Sequence, residues 1–403
     1  MTAQAKPVDA DILASRFHAI RQHSLSLIDG LSSEDCQLQS IPEASPLKWH
    51  LAHTSWFFET FVLAKLPQSP APFNPAFVVL FNSYYVGIGD RHARPERGML
   101  SRPSLDDVLA YRTHVDQHVH DALANDVCSP DLLTLVELGL HHEQQHQELM
   151  LTDLKHHFSR NPLAPAWREQ GIDQPVSTAN QEPVTAISFD PGLIEIGHQA
   201  NSFCYDNELP RHKVWLAPYQ LATRNVTNGD YLAFIRDGGY QRPDLWLSDG
   251  WDIASREQWT APLYWEHDAD GWQLFTLHGK QPLIREATLC HVSFYEADAY
   301  ARWAGARLPT EAEWEYAVSL EPALAGAFGE VWQWCNSAYL PYPGFTPAPG
   351  AVGEYNGKFM INQMVLRGSS LATPASHARA SYRNFFPPQA RWQFSGVRLA
   401  WDG

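Results

Sequence analysis

Thiols, membrane-length apolar runs and positive charge are all scarce in this chain. Five cysteines, Cys36, Cys128, Cys204, Cys290 and Cys335, are spread over 403 residues. They form no Cys-x-x-Cys pair, and their odd number and wide spacing exclude a disulfide scaffold and a thiolate zinc site. No run of ~18 apolar residues occurs, so no membrane-spanning helix is expected. The stretch MTAQAKPVDADILASRFHAI lacks a basic start followed by an apolar core, so no secretory leader is expected and a reducing cytoplasm is the expected address. Only 18% of residues are charged, and 29 Lys and Arg against 45 Asp and Glu leave a formal net charge of −16. That field repels phosphate backbones and anionic headgroups, so small molecules are the expected partners, not nucleic acid or membrane.

What the chain has in excess is histidine and tryptophan, 19 and 15 residues. Thirteen of the 19 histidines fall within the first 157 residues, and a local excess of imidazole is a reason to look for a metal. Hydrophobic residues make up 44%, enough for substantial cores, and 403 residues suit two or three domains.

Residues 1–160 read as a helical domain. Apolar positions recur at three-and-four spacing over 8–30, which stops at Gly30, and over 46–66, which begins at Pro46 and ends before Pro67. Residues 104–126 open on Ser104-Leu-Asp-Asp107, a variant of the N-terminal capping box, and 130–158 open on Pro130-Asp131. Four helices of roughly 20 residues predict a four-helix bundle. The longest break, 67–103, is rich in Pro, Gly and Arg, the kind of long loop that carries function. Residues 161–190 lose the helical period and are expected to be a linker or a wrapping segment. Beyond them, 191–403 offers short apolar pieces with frequent Trp, Gly and Pro, and helices are expected only over 226–237, 294–304 and 310–318. This part predicts an irregular α+β domain.

His142-Glu-Gln-Gln-His146 sits inside the fourth helix, and residues at i and i+4 share a face, so the two imidazoles can hold one ion. Glu148 lies two positions on, about 200° around the helix, and is better placed to support the site than to ligate the same ion. A bundle-core ion needs a ligand from another helix, and the second helix offers His50 and His53. His114 and His118 form another pair at the same spacing, and either pair can be an ordinary polar helix face in a histidine-rich chain. Imidazole donors without thiolates suit iron, zinc, copper or nickel. Open coordination positions suit hydrolytic zinc or an oxygen-activating iron centre, and spacing leaves both open.

Longer motifs add a resemblance. PLKWHLAHTSWFFETFVL (46–63), FNSYY (81–85), RPERGMLSRP (94–103) and HHEQQHQELMLTDLKH (141–156) resemble the iron-dependent sulfoxide synthases of ergothioneine biosynthesis, whose N-terminal half is a DinB-like bundle. VTNGDYLAFIRDGGY (226–240), VSFYEADAYARWAGARLPTEAEWEYA (292–317), GEVWQWCNSAYLPYPGF (329–345) and SYRNFFPPQARWQFSGVRLA (381–400) are similar to the C-terminal half of that family. That half has the formylglycine-generating-enzyme fold, a C-type-lectin-like domain.

The resemblance implies that His53, His142 and His146 hold Fe(II), with His50 as a structural neighbour and O2 as co-substrate. The reaction it implies joins the sulfur of a thiol, cysteine ahead of γ-glutamylcysteine, to imidazole C2 of hercynine and leaves a sulfoxide. Tyr84 and Tyr85 match a catalytic tyrosine pair. Arg94 and Arg97 match residues that hold the thiol substrate's carboxylate, a task suited to guanidinium. Gln145, Asn384 and Phe385 match residues near hercynine, whose quaternary ammonium takes aromatic faces and amide oxygens. Each of these also has a plain reading as an interface aromatic, an ion pair or a helix-surface amide.

Two departures stand in the C-terminal half: Arg367-Gly-Ser-Ser370-Leu371-Ala-Thr-Pro374 where the family commonly has a cysteine, and a short stretch between Ala317 and Gly329. They bear on the donor, so a selenoneine synthase, which joins a selenosugar to hercynine, is the alternative. A formylglycine-generating enzyme is a weaker one, because Leu399 stands where a cysteine often does and Cys335 has no evident partner. The non-enzymatic alternative is a lectin-like binding protein with a structural metal. A zinc-dependent thiol transferase of the DinB type would not need the second domain.

Overall fold

In the computed structural model, which describes residues 9–169, 171, 174–199, 202–321, 323–354 and 356–403, helices begin where the sequence supplies caps. The leader reading and the start of the first predicted helix fall partly on residues 1–8, and the linker reading includes 170, 172 and 173; these positions lie outside the described residues. The chain divides into two compact units: Met1–Asn161 with Ala200–Phe203 and Ala348–Tyr355, and Pro162–Gln199 with Cys204–Pro347 and Asn356–Gly403.

The first unit is helical. Its helices are α1 (Ala10–Ser26), α2 (Leu47–Phe61), the single turn α3 (Phe77–Leu80), α4 (Leu105–Ala124) and α5 (Pro130–Ser159). Asp9 caps α1, accepting from the Asp11 amide at 2.9 Å. Ser104 and Asp107 form a reciprocal capping box on α4, and Ser129 caps α5 ahead of Pro130. α1 and α2 each pack on both α4 and α5, which makes a four-helix bundle.

α2 is buried on nearly every side, with Trp49, Trp56, Phe57 and Phe58 inside. It ends six residues before Pro67; between them the chain passes through a 3-10 turn, Leu63–Lys65, and Leu66 turns extended, as the residue before a proline prefers. On α5, Gly139 allows a close approach: a Cβ there would stand 2.6 Å from the Phe58 ring. That contact sets α5 against α2 one turn before His142. The break at 67–103 is ordered by α3, by a 3-10 segment Arg94–Met99, and by Asn82. The buried Asn82 amide donates to the Tyr85, Gly89 and Asp90 carbonyls and accepts from the Tyr85 amide.

The second unit is an irregular α+β assembly. Its strands are β1 (Ala186–Phe189), β2 (Gly192–Ile196), β3 (His212–Leu216), β4 (Tyr219–Ala222), β5 (Trp265–Asp268), β6 (Gly271–Thr276), β7 (Gly279–Pro282), β8 (Trp332–Ala338), β9 (Met364–Gly368), β10 (Asn384–Phe386), β11 (Ser395–Gly396) and β12 (Ala400–Asp402). They form small sheets in the orders β1-β4-β12, β10-β9-β8-β11, β2-β3 and β5-β6-β7. The core gathers around Trp314, Cys335, Tyr339 and Val365. Capping boxes at Thr227/Asp230, Ser293/Glu296 and Thr310/Glu313 start α6 (Asn228–Arg236), α8 (Phe294–Trp303) and α9 (Glu311–Leu320).

The sequence reading is corrected at one helix, α7 (Ser248–Arg256), which it did not expect. No side chain caps its start at Leu247, and it carries Gly250, which is needed because a Cβ would stand 2.7 Å from the Tyr295 side chain. The segment after Pro162 wraps within this unit, with the Trp167 amide donating to the Leu277 carbonyl at 2.8 Å. Among the described residues, no helix is long and apolar enough to cross a membrane.

Candidate metal centre

His53 on α2 and His142 and His146 on α5 face one another across the bundle. One ring nitrogen from each lies within 4.8 Å of the other two. His53 Nε2 and His142 Nε2 are 3.2 Å apart. Imidazole nitrogens bound to one ion at about 2.1 Å come this close when their bonds are near a right angle. Burial is the first reason that all three resist protonation. His142 is pushed down to about 3, and His53 and His146 well below the ordinary imidazole value, the neighbouring histidines adding to the effect. Three neutral bases with convergent nitrogens, buried together, fit a divalent transition metal.

The His53 and His146 rings are also held from behind. His53 Nδ1–H donates to the Phe81 carbonyl at 2.6 Å, so the proton sits on Nδ1 and Nε2 keeps its lone pair. The His53 ring is sandwiched between Trp49, stacked at 4.6 Å, and Trp56, stacked at 5.4 Å. His146 meets His50, Nδ1 to Nδ1, at 2.7 Å, and His50 Nε2 faces Asp153 Oδ2 at 3.0 Å. Glu148 is half-buried and outside the three-histidine cluster, and Gln145 is half-buried beside the ligands. His114 and His118 lie together on α4 beside Phe73, away from that cluster.

The remaining expected residues spread over both units. Tyr85 is fully buried against Trp56 and Phe61; Tyr84, half-buried, stacks on it at 4.7 Å. Arg97 is buried with its guanidinium 3.4 Å over the Trp49 ring, donating to Ser45 Oγ at 2.9 Å and Ser83 Oγ at 3.2 Å. No carboxylate among the described residues pairs with it, and its Nε has no partner. Burial, then Arg94, penalise its charge, while Asp153 supports it from beyond ion-pair distance. Arg94 is exposed and donates to the Glu43 carbonyl. In the second unit, Asn384 and Phe385 lie on β10, where Phe385 stacks on Tyr339 at 4.0 Å. Ser370 is buried there, its Oγ 3.1 Å from Thr373 Oγ1, and Cys335 is a buried free thiol that burial holds protonated.

Comparison with known proteins decides the family. Residues 16–150 match the DinB superfamily, and residues 172–326 and 319–403 match the Sulfatase-modifying factor enzyme 1-like domain. A protein of Mycolicibacterium thermoresistibile named hercynine oxygenase is 31% identical, over 100% of this chain and 97% of its own. The hercynine oxygenase of Mycobacterium tuberculosis is 31% identical over 97% of this chain and 98% of its own. The chain belongs to the hercynine oxygenase family. A formylglycine-generating enzyme of Streptomyces coelicolor, 32% identical, covers only 32% of this chain.

For a hercynine oxygenase family member, sequence reasoning passed over three residues that shape the site. Asp153 stands seven positions after His146, two helical turns on the same face, a spacing that was readable. Phe81 and Trp49 were not, because the Phe81 carbonyl reaches His53 only through the fold of the 67–103 loop, and nothing in a Trp marks it as a ring clamp.

Proposed function

We propose that the chain is a non-heme Fe(II)- and O2-dependent hercynine oxygenase that joins imidazole C2 of hercynine to the sulfur of a thiol, cysteine ahead of γ-glutamylcysteine, as a sulfoxide. The observation that carries this reading is the three-histidine cluster in a chain that matches hercynine oxygenases over its whole length. One C–H and one S–H are lost, a C–S and an S=O bond form, and O2 takes four electrons to leave one water. Bound Fe(II) supplies the redox chemistry of O2 and a Lewis-acid contact for sulfur.

His53, His142 and His146 would hold the iron and leave positions open for both reactants, converting a three-body encounter into an intramolecular one. Arg97 is a buried cation with no carboxylate in ion-pair distance among the described residues and an unpartnered Nε, which suits it to the carboxylate of an amino-acid thiol. Arg94 would extend that clamp. Tyr84, half-buried, and Tyr85, packed on Trp56 beside His53, are the phenols from which one would give up the proton on its Oη. Gln145, Asn384 and Phe385 would hold hercynine, the aromatic face taking the trimethylammonium. We assign residues 1–160 to the iron-binding domain, 161–190 to the linker and 191–403 to the domain that shapes the substrate pocket.

The test loads purified protein with Fe(II) and offers hercynine and O2 with cysteine, γ-glutamylcysteine or a selenosugar, following products by mass spectrometry. The expected product is the cysteinyl sulfoxide. Turnover with the selenosugar alone overturns the thiol reading. Tightly held zinc with no hercynine-dependent O2 uptake overturns the enzyme reading in favour of a structural metal.

A further inference from the structure

We propose that His50 and Asp153 form a positioning pair that fixes the proton of His146 on Nδ1 and so presents its Nε2 lone pair to the metal. The proposal rests on the metal reading above and adds residues that do not touch the ion. It starts from the carboxylate. Asp153 is buried, and its Oδ2 accepts the Ser45 amide at 2.8 Å while facing His50 Nε2 at 3.0 Å. An ionised carboxylate only accepts, so His50 carries its proton on Nε2. A neutral imidazole has a single N–H, which leaves His50 Nδ1 as a bare acceptor. That atom is 2.7 Å from His146 Nδ1, a separation that two lone pairs do not tolerate, so the proton between them belongs to His146. His146 then has no proton on Nε2, the atom on the far side of its ring.

Free imidazole in water prefers the opposite tautomer, with the proton on the nitrogen remote from the backbone. A histidine that ligates through Nε2 therefore needs a partner for Nδ1. His53 has the Phe81 carbonyl, which can only accept. His146 has another histidine, which could accept or donate, and Asp153 removes that choice. The pair also bridges helices, since His50 lies on α2 and Asp153 on α5. The tautomer of an α5 ligand is thus set from the facing helix, and a carboxylate two turns along α5 sets the polarity of the whole chain.

Two measurements test this on the full-length protein. Nitrogen NMR of the metal-free wild type, with labelled histidine, is expected to place the His146 proton on Nδ1; a proton on Nε2 overturns the proposal, and so does a doubly protonated His50. Competition for Co(II) is expected to show about 10–100-fold weaker binding in Asp153→Ala and in His50→Leu. The double variant is expected to be no weaker than the weaker single, because both act through one chain. His50→Gln is the conservative rescue: its amide oxygen can accept from His146 Nδ1 while its amide nitrogen donates to Asp153, so it should bind close to wild type. Equal losses in His50→Gln and His50→Leu mean that only packing matters and overturn the proposal, as does wild-type affinity in both single variants. Wild-type protein that takes up no Co(II) overturns the metal reading, whereas wild-type uptake with insensitive variants overturns the positioning pair alone.

Discussion

Two buried polar clusters hang from the same stretch of α5, and they are built on opposite principles. Glu143 is fully buried between Arg21 and Arg112; its carboxylate pairs with Arg21 at 3.0 Å, with Arg112, and with Ser24 Oγ at 2.6 Å. Burial alone would raise the Glu143 pKa, but Arg112 and Arg21 outweigh it and hold it down to about 2. Asp116 pairs with Arg21 at 2.6 Å, so two carboxylates balance the two guanidiniums and the cluster locks α1 and α4 to α5. Its chain neighbour His142 turns the other way, toward His53 and His146, where three neutral bases converge. Burial of polar groups is common to both clusters. What separates a lock from a site is whether the chain satisfies those groups by itself.

That contrast can be broken or sharpened by experiment. The largest effect is expected from His142→Ala, which should reduce bound iron in elemental analysis to background while the metal-free protein stays folded by circular dichroism. Glu143→Leu should do the reverse. It leaves the buried Arg112 guanidinium without its carboxylate, while Arg21 keeps Asp116, and should cost ~3–5 kcal/mol in urea unfolding, and equal stability losses in the two variants would erase the distinction. Arg97→Met comes next. It removes the buried cation that lacks a carboxylate, and should raise KM for the thiol about 10-fold or more, in line with ~1.5–3 kcal/mol for a charged hydrogen bond, with kcat changed less.

Acid separates the Glu143 cluster from the buried histidines of α5, His156 among them. His156, hydrogen-bonded to Ser40 near the end of α5, is lowered from 6.5 to about 4, mainly by burial. Its folded form resists a proton that the unfolded chain accepts, so stability complete above pH 6.5 falls as pH drops toward 4. Glu143, lowered from 4.5 to about 2, keeps its contribution above pH 4.5 and loses it only toward pH 2. Between pH 6.5 and 4.5 the Glu143 cluster should hold while the buried histidines weaken, and His156→Gln should make the fall of the urea midpoint across that window shallower. The smallest effect is reserved for a residue outside both clusters: Ser104→Ala, at the α4 cap, should cost ~1 kcal/mol and leave metal content unchanged.

The same contrast explains what could be read from the sequence. His142 and His146 were legible because four residues is one helical turn. The starts of α4, α6, α8 and α9 were legible because a Ser or Thr followed three residues later by Asp or Glu is a local signal. The choice between His50 and His53 was not legible from spacing, since both lie on α2 and both point into the bundle. Only the motif resemblance separated them, and the structure shows how each is used. In the second unit, β8 pairs in parallel with β11 some sixty residues later, and β4 lies between β1 and β12. Strands of two to seven residues with such distant partners carry almost no periodic signal. α7 was missed for a different reason: no side chain caps its start at Leu247, so the local signal that marks α4, α6, α8 and α9 is lacking there.

The indoles that grip His53 have a further consequence. Trp49 and Trp56 are fluorophores stacked directly on a ring expected to bind an ion with unpaired electrons, with centroids 4.6 Å and 5.4 Å from it. At that range a paramagnetic ion extinguishes their emission while a closed-shell one does not. The protein therefore carries its own optical gauge of which kind of metal fills the bundle, readable without label, substrate or turnover.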